Sequence, residues 1–160
     1  PYRFTPVILN SSLGRQRQVE PLELWIEDDT GKIKKVFEKG FSTGMVSVGY
    51  DIPEGIFSRL EVIAGIHATL GADDGGGLSM DNEAPAAFKM SIKLNGKVMW
   101  GSGTLIKNMP AQRVSVPVAE GGRLEFISVN KSESNVNHYN QPVWAEPVLV
   151  RSEITGERKL

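Results

Sequence analysis

Apolar and polar positions alternate most clearly from Ala87 to Gly103. Phe88, Met90, Ile92 and Leu94 interleave with Lys89, Ser91, Lys93 and Asn95. A period of two gives a strand with one apolar and one polar face. Asn95-Gly96 follows, and Val98 and Trp100 lie on the return arm. Asn-Gly accepts the positive φ that both central residues of a type I′ turn need, so the pattern predicts a β-hairpin. A lone hairpin is marginal in water, so its apolar face must rest on a second layer.

The rest of the chain supplies candidates for that layer. Phe4 to Asn10 reads as a short first strand or arm. Leu22, Leu24 and Ile26 alternate with Glu23, Trp25 and Glu27, turn at Asp29-Thr30-Gly31, and return through Ile33 to Lys39. Met45, Val46, Val48 and Tyr50 mark a strand ending at Asp51, before the turn residues Pro53-Glu54-Gly55. Phe57 to His67 is a long strand with Leu60, Val62, Ala64 and Ile66 on one face. Gln112 to Val118 alternates, Gly121-Gly122 turns it, and Leu124 to Val129 continues. Val143 to Arg151 is the last strand, and Pro147 within it predicts an edge or a bulge. Leu70 to Pro85 and Lys131 to Gln141 have no period and read as loops. No amphipathic helix is found. About eight to ten short strands with regular turns predict an all-β fold, an antiparallel β-sandwich, with Val62, Ile92 and Phe88 or Met90 in its core.

Composition narrows the function. The chain has 160 residues, which suits one domain. Lys plus Arg number 18 and Asp plus Glu 19, so there is no basic field to hold a phosphate backbone, and nucleic acid is excluded as a partner. Cysteine is absent, which removes disulfides, thiol nucleophiles and Cys-type zinc sites. No apolar run approaches the about 18 residues of a membrane span. Beginning at Pro1 rather than Met, the chain reads as a domain of a longer protein.

Candidate chemistry is sparse. Asp73, Asp74, Asp81 and Glu83 share one glycine-rich loop and read first as a solvated acidic segment. His67 and His138 are the only histidines, with no HExxH, no GxSxG elbow and no phosphate-cradling loop. His67, at a strand end, reads as a hydrogen-bonded rim residue. Trp144 and Trp100 lie on strands and read as structural. Trp25 is opposite in phase to Leu24 and Ile26, so it is either exposed or packed under the N-terminal segment. Tyr139 differs from these. It sits in a polar loop with Asn137, His138 and Asn140, an aromatic ring beside amide and imidazole groups.

Four segments, in order, resemble the NPCBM-type carbohydrate-binding modules. Lys39-Gly40-Phe41-Ser42-Thr43 leading to Val48-Gly49-Tyr50-Asp51-Ile52 is similar to that family's KGLGTH…YDL. Phe57-Ser58-Arg59-Leu60 through Ala64-Gly65-Ile66 is similar to YSRFTATVGID. Ile92 to Gly103 is similar to VYVDGKEVYRSG, and His138 to Glu146 to DHADWAD. Gly44, His67, Asn137 and Asn140 depart from the pattern at polar positions. The resemblance implies a jelly-roll, galactose-binding-like sandwich over residues 39–151, with strands from 1–38 packed on it and a tail at 152–160. It implies a non-catalytic carbohydrate-binding module of a larger secreted glycoside hydrolase or bacterial surface protein. Its partners would be a galactose-containing glycan and neighbouring domains. Tyr139, Asn137, His138, Asn140, Asp73 and Asp74 are the expected ligand contacts, and Glu146 the expected ligand of a structural calcium. The alternative is a structural or interdomain module that binds no sugar.

Overall fold

The computed structural model describes residues 8–9, 12–13, 19–42, 47–68, 87–106, 108–131 and 142–152. Thirteen strands and no helix occur among them: β1 (Ile8–Leu9), β2 (Ser12–Leu13), β3 (Val19–Glu20), β4 (Leu22–Asp28), β5 (Gly31–Phe37), β6 (Gly40–Ser42), β7 (Ser47–Ile52), β8 (Phe57–Ile66), β9 (Ala87–Leu94), β10 (Lys97–Ile106), β11 (Gln112–Pro117), β12 (Gly122–Asn130) and β13 (Pro142–Arg151). The count exceeds the sequence expectation because β1, β2, β3 and β6 are two or three residues long and carry no period to read.

Two antiparallel sheets form the sandwich. One has the order β1-β6-β13-β8-β11 and the other β10-β9-β12-β7. The β9–β10 hairpin occupies the edge half of the second sheet, and β10 runs on to Ile106, past the expected limit at Gly103. Asn95 and Gly96 take positive φ, 51° and 81°, as the type I′ turn requires. The inward residues Phe88, Met90, Ile92 and Leu94 pack with Leu60, Val62, Ala64, Ile66, Val114 and Val116, all buried. Trp144 lies among aromatic neighbours at the centre, with ring centroids 5.0 Å from Phe126, 6.2 Å from Trp100 and 6.4 Å from Phe41.

A second core lies on the outer face of the first sheet. The β4–β5 hairpin lays Leu22, Leu24, Ile26 and Phe37 on Ile63, Val143 and Ala145. Strand β8 is therefore apolar on both faces, which is why Ile63 breaks the alternation of Leu60, Val62 and Ala64. Pro147 sits in a bulge. The register of β13 on β8 shifts between Ala145 and Val148, and Glu146 takes a φ of 49°.

Candidate functional site

The two ends of the sandwich differ. At one end the turns are tied to each other. Asn95 Nδ2 donates to Gly121 O at 2.9 Å, Asn95 Oδ1 accepts Arg123 N–H at 2.8 Å, and Gly55 N–H donates to Ala119 O at 2.8 Å. At the other end the strand termini Ser42, Ile66 and Pro142 stand side by side, since Val143 pairs with Ser42 and Pro142 with Ile66. The second sheet ends there too: Asn130 pairs with Phe88, and Lys131 N–H donates to Ala87 O at 2.7 Å. Five residues, 107–111, take the chain from Ile106 beside Ala87 to Gln112 beside Ala64, which a span of at most about 3.5 Å per residue confines to one end. The strand termini that segments 43–46, 69–86 and 132–141 connect thus all lie at this one end, the loop end. Tyr139, Asn137, His138, Asn140, Asp73 and Asp74 belong to these segments and lie outside the described residues.

At the side of the loop end sits β4. Leu24 bridges to His67, Ala68 N–H donates to Glu23 O at 2.8 Å, and Ala111 N–H donates to Trp25 O at 2.7 Å. This covers His67, which is 2% exposed, so it is a buried residue rather than the rim residue its strand-end position suggested. Its Nε2 is 2.9 Å from Pro21 O. A carbonyl only accepts, so Nε2 carries the proton. Burial, the largest cause, holds the imidazole pKa below its ordinary value; Lys34 acts the same way, while the Pro21 carbonyl, Glu23 and Glu20 oppose it. With the folded pKa below the unfolded one, the unfolded chain binds more protons in between. Stability from this group is complete above about pH 6.5 and is lost as pH falls through the folded pKa. We expect the melting temperature to fall as pH drops below about 6.5. His67→Gln, which keeps a donor for Pro21 O, should flatten that fall. An unchanged profile in the variant would contradict the assignment.

Trp25 is half-buried on the outward face of β4 and belongs to neither core. Its Nε1–H donates to Asn108 Oδ1 at 3.2 Å. The Lys32 and Lys34 ammonium groups lie 4.7 and 5.2 Å from its ring centroid. The phase of the sequence permitted this outward orientation, but Asn108, distant in the chain, could not be found from it.

Glu146 is exposed on the β13 bulge, its N–H donating to Lys39 O at 2.9 Å. It lines a cleft with Glu61, Arg113, Ser115 and Val148. Calcium takes six to eight oxygens, and a cationic Arg113 in the same cleft disfavours it. No group of three or more His, Cys, Asp or Glu placed to hold a metal ion occurs among the described residues, so these residues alone do not fit a calcium ion.

A profile of the NPCBM/NEW2 domain matches residues 11–150. No curated protein sequence matches the chain. Several solved structures share its fold. The tandem CBM51 modules of Sp3GH98, the family 98 glycoside hydrolase from Streptococcus pneumoniae SP3-BS71, superpose with a TM-score of 0.69 at 17% identity, over 91% of this chain and 41% of that one. CBM51-2, in complex with GlcNAc, and the INT domains from Clostridium perfringens ZmpB give 0.67 at 17%, over 92% and 28%. The CBM51 from Clostridium perfringens GH95, in complex with methyl-galactose, gives 0.63 at 15%, over 93% and 95%. The chain thus spans less than half of the first two and nearly all of the third. By the profile match and the shared sandwich, the chain belongs to the NPCBM/NEW2 domain family and has the galactose-binding-like fold of the CBM51 carbohydrate-binding modules.

Proposed function

We propose that this domain is a non-catalytic carbohydrate-binding module of a larger bacterial protein, a secreted glycoside hydrolase or a surface protein, and that it holds a galactose-containing glycan at the loop end. The observation that carries this is that the strand termini flanking three chain segments meet at one end of the sandwich of an NPCBM domain. Loops on a rigid scaffold are the usual place for recognition. No helix among the described residues is long and apolar enough to cross a membrane.

In this reading Tyr139 stacks on the sugar, Asn137, His138 and Asn140 bond its hydroxyls, and Asp73 and Asp74 accept from them. Each hydrogen bond to a sugar replaces one to water and nets about 0.5–1.5 kcal/mol, so a dissociation constant on the order of 0.1–1 mM is expected. Tyr139→Ala should weaken binding by more than about tenfold, read by calorimetric titration, and leave the melting temperature unchanged. An unfolded Tyr139→Ala domain would make the ring part of the core. That result would favour the interdomain reading, to which the exposed Val36 and Val148 beside the Glu146 bulge also lend support.

A structural calcium at Glu146 is a separate part of the proposal, and oxygens from outside the described residues would have to complete its shell. An ion that binds only the folded state raises the melting temperature. Equal melting temperatures with calcium and with a chelator would remove the site.

A further inference from the structure

The turn pair Asn95-Gly96 carries a chemistry of its own, at the end of the sandwich opposite the loop end. The backbone nitrogen that follows an asparagine can attack the side-chain amide carbon. Ring closure gives a succinimide, which water opens to aspartate or isoaspartate. Glycine in the second place favours the attack, because no Cβ screens its nitrogen. Asn95 and Gly96 are both exposed, so water reaches the pair, and Gly96 stands in open space.

The Asn95 amide is nonetheless occupied. Its Nδ2 donates to Gly121 O at 2.9 Å and its Oδ1 accepts Arg123 N–H at 2.8 Å. A carbonyl only accepts and an N–H only donates, so the two backbone groups fix this orientation. The Asn95 N–H adds a third bond, to Arg123 O at 2.8 Å. Gly122 lies directly against the amide, where a Cβ would collide with Oδ1, Cγ and Nδ2. Both polar atoms of the side chain are thus held by the start of β12, 26 and 28 residues away in sequence. Ring closure onto Gly96 requires that clasp to let go.

We infer that Asn95 is a site of spontaneous covalent modification, gated by the clasp between the β9–β10 turn and the start of β12. While the clasp is closed the amide persists, and the reaction proceeds from the locally opened state. The step forms the bond from Gly96 N to Asn95 Cγ, breaks the bond from Cγ to Nδ2 and releases ammonia. The proton from Gly96 N leaves with the ammonia, and water then splits the ring. The product does not restore the clasp. Aspartate places an acceptor where Nδ2 donated to Gly121 O, so two acceptors face each other. Isoaspartate adds a main-chain atom to a two-residue turn whose positive φ values, 51° and 81°, fit a type I′ geometry. Conversion is therefore one-way and loosens this end of the sandwich.

The test incubates the intact domain beside a synthetic peptide of its Met90 to Gly101 sequence in mildly alkaline buffer. Peptide mapping by mass spectrometry reads the exchange of the Asn95 amide for a carboxyl. The domain should convert at least about tenfold more slowly than the peptide, because only its opened fraction reacts. Gly122→Ala, whose Cβ displaces the amide, should bring the rate of the folded domain towards that of the peptide. Urea below the unfolding midpoint should also raise the rate in the intact domain before the cooperative transition begins. If Gly122→Ala fails to fold, the urea series decides. Asn95→Asp should melt at a lower temperature than the intact domain. A folded domain that converts as fast as the peptide overturns the gate. A rate that follows global unfolding alone, or a folded Gly122→Ala domain with an unchanged rate, overturns it as well. An unchanged melt of Asn95→Asp would show that the product restores the clasp.

Discussion

Replacing Trp144 by Ala should bring the domain to the edge of unfolding, at a cost of about 3–5 kcal/mol from a total of about 5–15 kcal/mol. Trp144 is fully buried on β13 between the two sheets. Its ring meets Phe126 edge-on, stacks on Phe41 and meets Trp100 edge-on, so its loss opens a cavity bordered by three rigid rings that cannot collapse into it. Trp144→Phe should cost much less. It retains part of the packing and removes the indole N–H, which is buried with no hydrogen-bond partner among the described residues, a defect worth about 1–3 kcal/mol. Chemical denaturation of both variants checks this. Equal costs for Ala and Phe would show that the orphaned N–H is not a liability.

Gly40→Ala should be nearly as damaging. Gly40 pairs with Ala145 at φ 142°, a conformation that residues with a Cβ rarely adopt. A Cβ there would fall 2.3 Å from the Trp144 carbonyl oxygen and 3.0 Å from the Ala145 Cα and the Leu22 Cδ1. All three atoms lie at the contact of β6, β13 and β4, so relief requires moving backbone. Backbone strain and overpacking each cost about 1–3 kcal/mol, and the two act together here. Gly55→Ala, at φ 73° with open space around it, isolates the conformational part alone. A Gly40→Ala domain that melts like Gly55→Ala would refute the close approach.

What the sequence revealed divides along physical lines. Phe88 to Leu94, Leu22 to Ile26 and Leu60 to Ile66 carry a period set by burial on one side, and each is a strand with those residues inside. Pro147 announced the β13 bulge because a residue without an N–H cannot continue a ladder. Gly40–Ser42 is too short to carry a pattern, and its importance comes from β13, about a hundred residues later. His67 looked like a rim residue because nothing near it in sequence shows that β4 lies over it. Trp25 could be read as outward, but its fixing by Asn108 is a contact across 83 residues. For the proposed sugar contacts, the legible part is the polar, aperiodic character of Leu70 to Pro85 and Lys131 to Gln141; that the flanking strand termini meet at one end follows from pairings between distant strands.

Carbohydrate binding itself is tested most directly by titrating the intact domain with methyl galactoside and screening it on a broad glycan array, with a thermal melt of the same sample. The expected result is saturable binding on the order of 0.1–1 mM that Tyr139→Ala weakens without changing the melt. A cooperatively melting domain that binds no glycan on the array would contradict it.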